Sequence, residues 1–206
     1  MEFMSRGIVD YLKHYSFLIL PCLNPYGFTR GVRFSRDVAD LNRSFDAVPG
    51  PPEVAAVKEL LRRFPGPYRL AFDFHETDTY MPRGADPSVE DIPTGIYMYE
   101  TMRNGHAGLG PTIVRAIRNS GNSITQRRTV YGAECKNGLI YTTAPDNPDY
   151  PSLPEFNGTL DWYLLKNGHT DHFLATETPT AWPLRQRIAV HQKALIHALN
   201  CLKTQP

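Results

Sequence analysis

The sequence of 206 residues has the composition of an ordinary globular domain, with 41% hydrophobic and 21% charged residues. Its formal net charge of +1 gives no overall field that would recruit nucleic acid or an anionic membrane, so neither partner is expected. No run approaches the roughly 20 apolar residues that a membrane span requires, and the start MEFMSRGIVDYL is too polar for a secretory signal. We therefore expect one cytoplasmic domain over residues 1–206.

The cysteines favour the same location. Cys22, Cys135 and Cys201 are far apart in the sequence and form no C-x-x-C pair. This spacing predicts neither a disulfide framework nor a cysteine zinc site. A reducing compartment fits the pattern best.

Helix-like and strand-like patterns alternate along the chain, which predicts an α/β fold. The clearest helix begins at Pro51 and Pro52 and ends before Gly66 and Pro67. The other predicted elements are, in chain order, a helix from Ser5 to about His14, a strand at 17–20, a turn at 24–27, a strand at 68–74, a loop at 77–95, a strand at 96–99, a helix at 111–119, strands at 129–131, 139–143 and 171–177, and a helix at 184–202.

The strand predicted over 68–74 is followed by polar side chains. Asp73, His75 and Glu76 lie at its carboxyl end. Because open α/β sheets bind ligands at the carboxyl ends of their strands, we expect a site there.

The stretch 20–45 carries a second cluster of polar groups, the arginines Arg30, Arg33, Arg36 and Arg43. A planar guanidinium suits bidentate binding of a carboxylate, so this stretch predicts an anion-binding loop. The alternative is a solvated basic loop. In that case the aspartates in and next to this stretch neutralise the arginines: Asp37, Asp40 and Asp46.

Several separated segments resemble one known family. The order of these segments is that of the motifs in zinc carboxypeptidases: NPYGF, an arginine, DLNRSF, DFHE, GTLDW and the ETP at Glu177. That family includes pancreatic carboxypeptidases, murein peptide amidases and, more distantly, aspartoacylase-type deacylases. The resemblance implies a mixed central β-sheet with helices on both faces. It also implies a zinc-dependent hydrolase that cleaves the amide bond beside a free carboxylate, in a peptide, a murein-type peptide or an acyl-amino acid.

The resemblance also implies roles for individual residues. Asn42 and Arg43 would bind the substrate carboxylate, and Arg33 would polarise the scissile carbonyl and stabilise the oxyanion. Glu177 would be the general base that carries a proton from water to the leaving nitrogen. Leu160 would lie at the base of the specificity pocket and favour an apolar or neutral side chain.

The metal ligands are incomplete in this resemblance. His75 resembles the last zinc ligand, and Glu2 resembles the glutamate of the H-x-x-E motif, whose histidine this sequence lacks. Asp40 would hold that histidine in place, so it has no predicted partner. The family's mobile tyrosine has Tyr150 as its nearest counterpart. Another alternative for it is Tyr163.

We therefore expect a chain that is truncated within the H-x-x-E motif. One zinc ion is expected in the full-length protein, and weak or absent zinc binding in this chain, because two protein ligands are too few for a tetrahedral site. The competing hypothesis is a metal-free carboxylate-binding module, or a truncated gene product, that catalyses nothing. The sequence leaves the oligomeric state open.

Overall fold

The computed structural model describes residues 7–77, 93–103, 108–143 and 157–204. Within these ranges the strands are β1 (Ala71–Thr77), β2 (Tyr97–Met102), β3 (Thr129–Val130), β4 (Ala133–Glu134), β5 (Leu139–Thr143) and β6 (His172–Pro179). The helices are α1 (Val9–Leu12), α2 (Pro25–Arg30), α3 (Pro52–Arg63), α4 (Gly110–Asn119), α5 (Leu160–Lys166) and α6 (Leu184–Thr204), with a short 3-10 helix at Leu41–Arg43. Among the described residues, no helix is long and apolar enough to cross a membrane.

The described strands form a four-stranded sheet in the order β1-β6-β2-β5, and β3 pairs with β4 in a separate hairpin. β1 is parallel to β6 and β2 is parallel to β5, whereas β2 runs antiparallel to β6. The sheet is therefore mixed, and the predicted α/β fold is confirmed.

Helices cover both faces of this sheet. On one face α4 and α6 pack against Met98 and Leu174 through buried residues that include Ile113 and Ala194. On the other face α3 and α5 pack against Phe173 and Ala175. The candidate site lies on this second face.

A buried carboxylate anchors the first turn of α4 to the sheet. Glu100 is fully buried, and its side chain accepts hydrogen bonds from the N–H groups of Leu109 and Gly110. His172 Nε2 lies 2.8 Å from the same carboxylate. Because a helix N-terminus carries unpaired N–H groups and partial positive charge, this contact stabilises a buried charge.

Two predicted elements were wrong. Residues 17–20 form no strand; Leu18 and Leu20 instead pack on the core under α3 and α5, which produces the same apolar pattern. The predicted turn at 24–27 is the start of α2, because the Asn24 side chain accepts from the Gly27 N–H at 2.8 Å and caps the helix.

The remaining elements agree with the prediction to within a few residues. The first strand of the sheet is shifted to Ala71–Thr77, and therefore contains His75 rather than ending before it. Tyr131 belongs to the turn between β3 and β4, where its φ is 49°. Ser5 and most of the predicted 77–95 loop lie outside the described residues.

Candidate functional site

The pairing of three strands brings His75 and Glu177 together. In the register of the sheet His75 on β1 is opposite Glu177 on β6, and Tyr97 on β2 is opposite Glu177 from the other side. Residues that are paired across neighbouring strands project from the same face. Their side chains therefore meet on the face covered by α3 and α5.

His75 is held by a carboxylate of its own strand. Its Nε2 lies 2.9 Å from Asp73 Oδ2, and its Nδ1 lies 3.9 Å from Glu177 Oε1. Burial acts to lower the pKa of His75, but the negative charges of Asp73 and Glu177 outweigh it and raise the pKa to about 9. Burial acts in the opposite sense on Asp73, yet the His75 charge leaves the pKa of Asp73 below its usual value. His75 and Asp73 therefore form an ion pair at neutral pH.

Glu177 is a buried carboxylate with a raised pKa. Its side chain is 13% exposed, and burial raises its pKa, opposed by the charge of His75 and by a 3.0 Å hydrogen bond from Thr77 Oγ1. Arg33 is near enough for its charge to lower the same pKa. A carboxylate with a raised pKa accepts a proton more readily near neutral pH than an ordinary one.

Asp161 contributes a further carboxyl group from α5. Thr159 caps this helix through a 3.4 Å hydrogen bond from the Trp162 N–H, and Asp161 is in its first turn. Burial raises the pKa of Asp161, and the nearby charge of Asp73 adds to the increase. The charge of Asp161 in turn raises the pKa of His75.

The N-P-Y-G motif positions Arg33. While Asn24 Oδ1 caps α2, its Nδ2 donates to the Arg33 carbonyl at 2.9 Å. Gly27 is required because a Cβ there would collide with the Asn24 side chain and the Val32 carbonyl. The motif therefore fixes the backbone from which the Arg33 side chain projects.

Asp40 links Arg33 to the 3-10 helix. Its Oδ2 accepts from Arg33 Nε at 3.0 Å and from Nη2 at 2.7 Å, while its Oδ1 accepts from the Asn42 N–H at 3.1 Å. The sequence predicted a missing histidine as the partner of Asp40. In the structure Arg33 is its partner.

Asn42 and Arg43, the residues predicted to bind a substrate carboxylate and called the carboxylate clamp below, are held by the start of α5 and by Gly158 just before it. The Leu160 N–H donates to Asn42 Oδ1 at 2.9 Å, and the Phe45 N–H donates to the Gly158 carbonyl at 2.8 Å. Because the amide oxygen of Asn42 is the acceptor, its amide N–H groups point away from the Leu160 N–H. The guanidinium of Arg43 is folded onto the Asn42 carbonyl through Nη1 at 2.7 Å.

The other predicted site residues are placed as follows. The Leu160 side chain is 8% exposed and packs in the core under α3 and α5. Tyr163 contacts the ring of Phe45. Glu2 and Tyr150 lie outside the described residues.

Comparison with known proteins identifies relatives of this architecture. No protein-family model matches the sequence, and no curated protein is significantly similar. A candidate metallopeptidase from Shewanella amazonensis superposes with a TM-score of 0.74 at 20% identity, covering 98% of this chain and 69% of that chain. A candidate metallopeptidase from Shewanella baltica superposes with a TM-score of 0.71 at 18% identity, covering 97% of this chain and 68% of that chain. The tripeptide-bound cell shape determinant Csd4 of Helicobacter pylori superposes with a TM-score of 0.59 at 18% identity, covering 95% of this chain and 46% of that chain. The chain shares their fold.

The extent of the likeness differs between these relatives. The chain spans 69% of the first Shewanella protein but only 46% of Csd4, whose mDAP-bound form is described as a D,L-carboxypeptidase. At such low identities the similarity establishes the fold alone, because one fold supports many chemistries.

A metal site was tested on the residues themselves. In the part of the chain that the structure describes, no group of three or more His, Cys, Asp or Glu side chains is placed to hold a metal ion. The predicted ligand His75 is paired with Asp73 through Nε2. The described residues therefore do not fit a zinc centre.

Some residues of the site were not predicted to have a role. The sequence places Asp73 at the expected site without a role, and Asp161, Thr77 and Tyr97 only within a motif or a predicted element. For Asp161 the available signal was its place in the G-T-L-D-W motif, directly after the capping Thr159. For Thr77 and Tyr97 no local pattern exists, since their hydroxyl groups meet only through strand pairing.

Proposed function

We propose that this protein is a hydrolase of the carboxypeptidase type, which cleaves the amide bond next to a free carboxylate. The observation that carries the proposal is the position of Glu177, a buried carboxylate with a raised pKa that lies within the electrostatic reach of Arg33. Arg43 of the carboxylate clamp acts similarly on Tyr99, which neighbours Tyr97 in the same site. A proton acceptor within reach of the charge of Arg33, in a site where Tyr99 is within reach of the charge of Arg43, suits an anionic substrate.

The carboxylate clamp would bind the terminal carboxylate of the substrate. Arg43 supplies a fork of N–H donors that matches the two carboxylate oxygens, and the oriented amide of Asn42 supplies another donor. Csd4 binds a tripeptide and mDAP, which supports a peptide ligand here.

The chemical step would use water and Glu177. Glu177 removes a proton from water as the oxygen attacks the scissile carbonyl carbon, and it returns that proton to the leaving nitrogen when the C–N bond breaks. The products are a carboxylic acid and an amine. Arg33, whose Nε and Nη2 are both bound to Asp40, would turn its remaining Nη1 toward the developing oxyanion.

Two finer features complete the proposal. Leu160 would favour an apolar or neutral substrate side chain beside the carboxylate clamp. The cytoplasm would be the location, because Cys22, Cys135 and Cys201 are all free. Zinc is the metal that the resemblance implies, and its role must be established by measurement because the described residues form no centre for it.

The substrate proposal is tested by comparing two peptides that differ only at the carboxyl terminus. We expect release of the last amino acid from the peptide with a free carboxylate and little cleavage of its carboxamide. Arg43→Ala should raise KM for the first peptide by about tenfold or more, since a charge-assisted hydrogen bond contributes roughly 1.5 kcal/mol or more. Equal cleavage of both peptides would refute the carboxylate requirement.

A second candidate is a carboxylate-binding module without catalysis, which the absence of a metal-binding group among the described residues favours. In that case calorimetry would detect binding of the free-carboxylate peptide. Binding would be unchanged in Glu177→Gln, and no amino acid would be released by either protein.

A further inference from the structure

We infer that Thr77 and Tyr97 are positioning residues that hold the carboxylate of Glu177 in its reactive orientation. The inference rests on the proposed function, because it assigns Glu177 the role of the proton carrier. It concerns two hydroxyl groups to which neither the motifs nor the comparisons give a role.

The two hydroxyl groups form a continuous chain with Glu177. Thr77 Oγ1 donates to Glu177 Oε2 at 3.0 Å, and it lies 2.8 Å from the hydroxyl of Tyr97. The ring of Tyr97 lies against that of Tyr99, with the ring centroids 5.7 Å apart. Thr77 is 4% exposed and Tyr97 is 1% exposed, so little water competes for these bonds.

When Glu177 is ionised, the number of hydroxyl protons determines which group donates in each of these hydrogen bonds. A hydroxyl group has one proton to donate. Since Thr77 gives its proton to Glu177, Tyr97 must donate to Thr77. All of the donors point toward Oε2, and aligned hydroxyl groups strengthen one another.

The hydrogen bond from Thr77 makes the two oxygens of Glu177 different. Oε2 is engaged by Thr77, whereas Oε1 faces His75 at 3.9 Å, a distance too long for a hydrogen bond. Oε1 is therefore the oxygen that is presented to water in the proposed reaction. Without the Thr77 hydroxyl the carboxylate could rotate about its last torsion angle, which is intrinsically soft.

The strand register explains why these residues can act together. Tyr97 is opposite Glu177 across the β2 and β6 pair, and Thr77 follows His75 by two positions on β1, so all four side chains share one face.

The test compares Thr77→Val, which replaces the hydroxyl by a methyl group of similar size, with Thr77→Ser, which keeps it. On a free-carboxylate peptide we expect Thr77→Val to lower kcat by about 10- to 100-fold with KM within about twofold of the wild type. Thr77→Ser should recover most of kcat. Tyr97→Phe should show a smaller loss, because Thr77 can still donate.

Crystal structures of the same variants give a readout that does not depend on activity. The Glu177 carboxylate should be rotated in Thr77→Val and unchanged in Thr77→Ser. An unchanged carboxylate in Thr77→Val, or equal kcat in Val and Ser variants of an active enzyme, would overturn the positioning role. A wild-type protein that releases no amino acid while Thr77→Val still shows the rotation would overturn the proposed function and retain the positioning of Glu177.

Discussion

The Leu160 N–H donates to the side-chain oxygen of Asn42 at 2.9 Å, across 118 residues of sequence. This bond joins the first turn of α5 to the 3-10 helix and determines which way the Asn42 amide points. The carboxylate clamp is therefore a property of two distant segments, and it can be disturbed from either side.

Asn42→Asp separates the structural use of this side chain from its proposed binding use. Aspartate keeps an oxygen to accept from Leu160 but removes the N–H donors and adds a negative charge facing the substrate carboxylate. We expect KM to rise by about tenfold or more with little loss of stability. Asn42→Ala, the control, should also lower the free energy of unfolding by about 1 kcal/mol, because the Leu160 N–H loses its acceptor. Unchanged KM in both variants would contradict the clamp.

Gly158 should not tolerate a side chain. Its φ is +77°, and an added Cβ would lie 2.5 Å from the Arg43 carbonyl oxygen. Gly121, with a φ of +81° and nothing within 4 Å, is the matched control for the backbone conformation alone. We expect Gly121→Ala to cost about 1 kcal/mol of unfolding free energy and Gly158→Ala clearly more, with weaker peptide binding. Equal costs in urea denaturation would show that the contact with Arg43 is unimportant.

His191 should make stability depend on pH. The imidazole lies 2.7 Å from Thr176 Oγ1 and 3.1 Å from Thr178 Oγ1, and burial, with help from the charge of His75, lowers its pKa to about 4. The unfolded value is about 6.5, so the unfolded chain binds more protons between these two values. The contribution of His191 is complete above about pH 6.5 and is lost as the pH falls toward 4, by on the order of 3 kcal/mol.

Urea unfolding at both ends of this pH range checks the prediction. His191→Asn should lose less stability than the wild type as the pH falls, whereas His14→Asn, at an exposed position, should behave like the wild type. A wild type and a His191→Asn variant with the same pH dependence would exclude His191 as a source of the change.

The purified chain should hold well under one zinc ion. Tetrahedral zinc needs four ligands, usually at least three from the protein, and no such group exists within 7–77, 93–103, 108–143 and 157–204. Metal analysis after exhaustive dialysis measures the stoichiometry. One tightly held zinc per chain would contradict the prediction and would show that residues beyond these ranges complete a centre.

Much of the fold could be predicted from sequence. Hydrophobic periodicity, together with the Pro and Gly residues that begin and end elements, identifies helices and strands with one buried side. The prolines and the helical spacing of Val54, Val57, Leu60, Leu61 and Phe64 predict α3. Val54, Val57 and Leu61 are buried, whereas Phe64 at the end of the helix is exposed. The segment at 17–20 was mistaken for a strand because an apolar run that packs on a core has the same pattern whether or not it pairs with a neighbour. Pairing is a tertiary property, and local sequence does not contain it.

The same distinction applies to the candidate site. His75 and Glu177 could be named because they belong to recognisable motifs, but their common face depends on the register of β1 and β6. Asp161 and Thr77 gain their chemistry from burial and from neighbours far away in sequence. The ion pair of Arg33 with Asp40 agrees with the alternative of a basic loop neutralised by its aspartates, whereas the family resemblance implies a different partner for each of these residues.

The central claim is that Glu177 carries the proton in amide hydrolysis. Its most direct test measures the rate at which the last amino acid is released from a tripeptide with a free carboxylate. The rate is measured with and without added Zn²⁺. The wild type should release the amino acid, and Glu177→Gln should be slower by about 10²- to 10⁴-fold. Glu76→Gln is the matched control, because Glu76 is one residue from His75 but bonds Arg187 and is paired in register with Thr178 instead of Glu177. A Glu177→Gln protein that hydrolyses the tripeptide as fast as the wild type and Glu76→Gln would contradict the account.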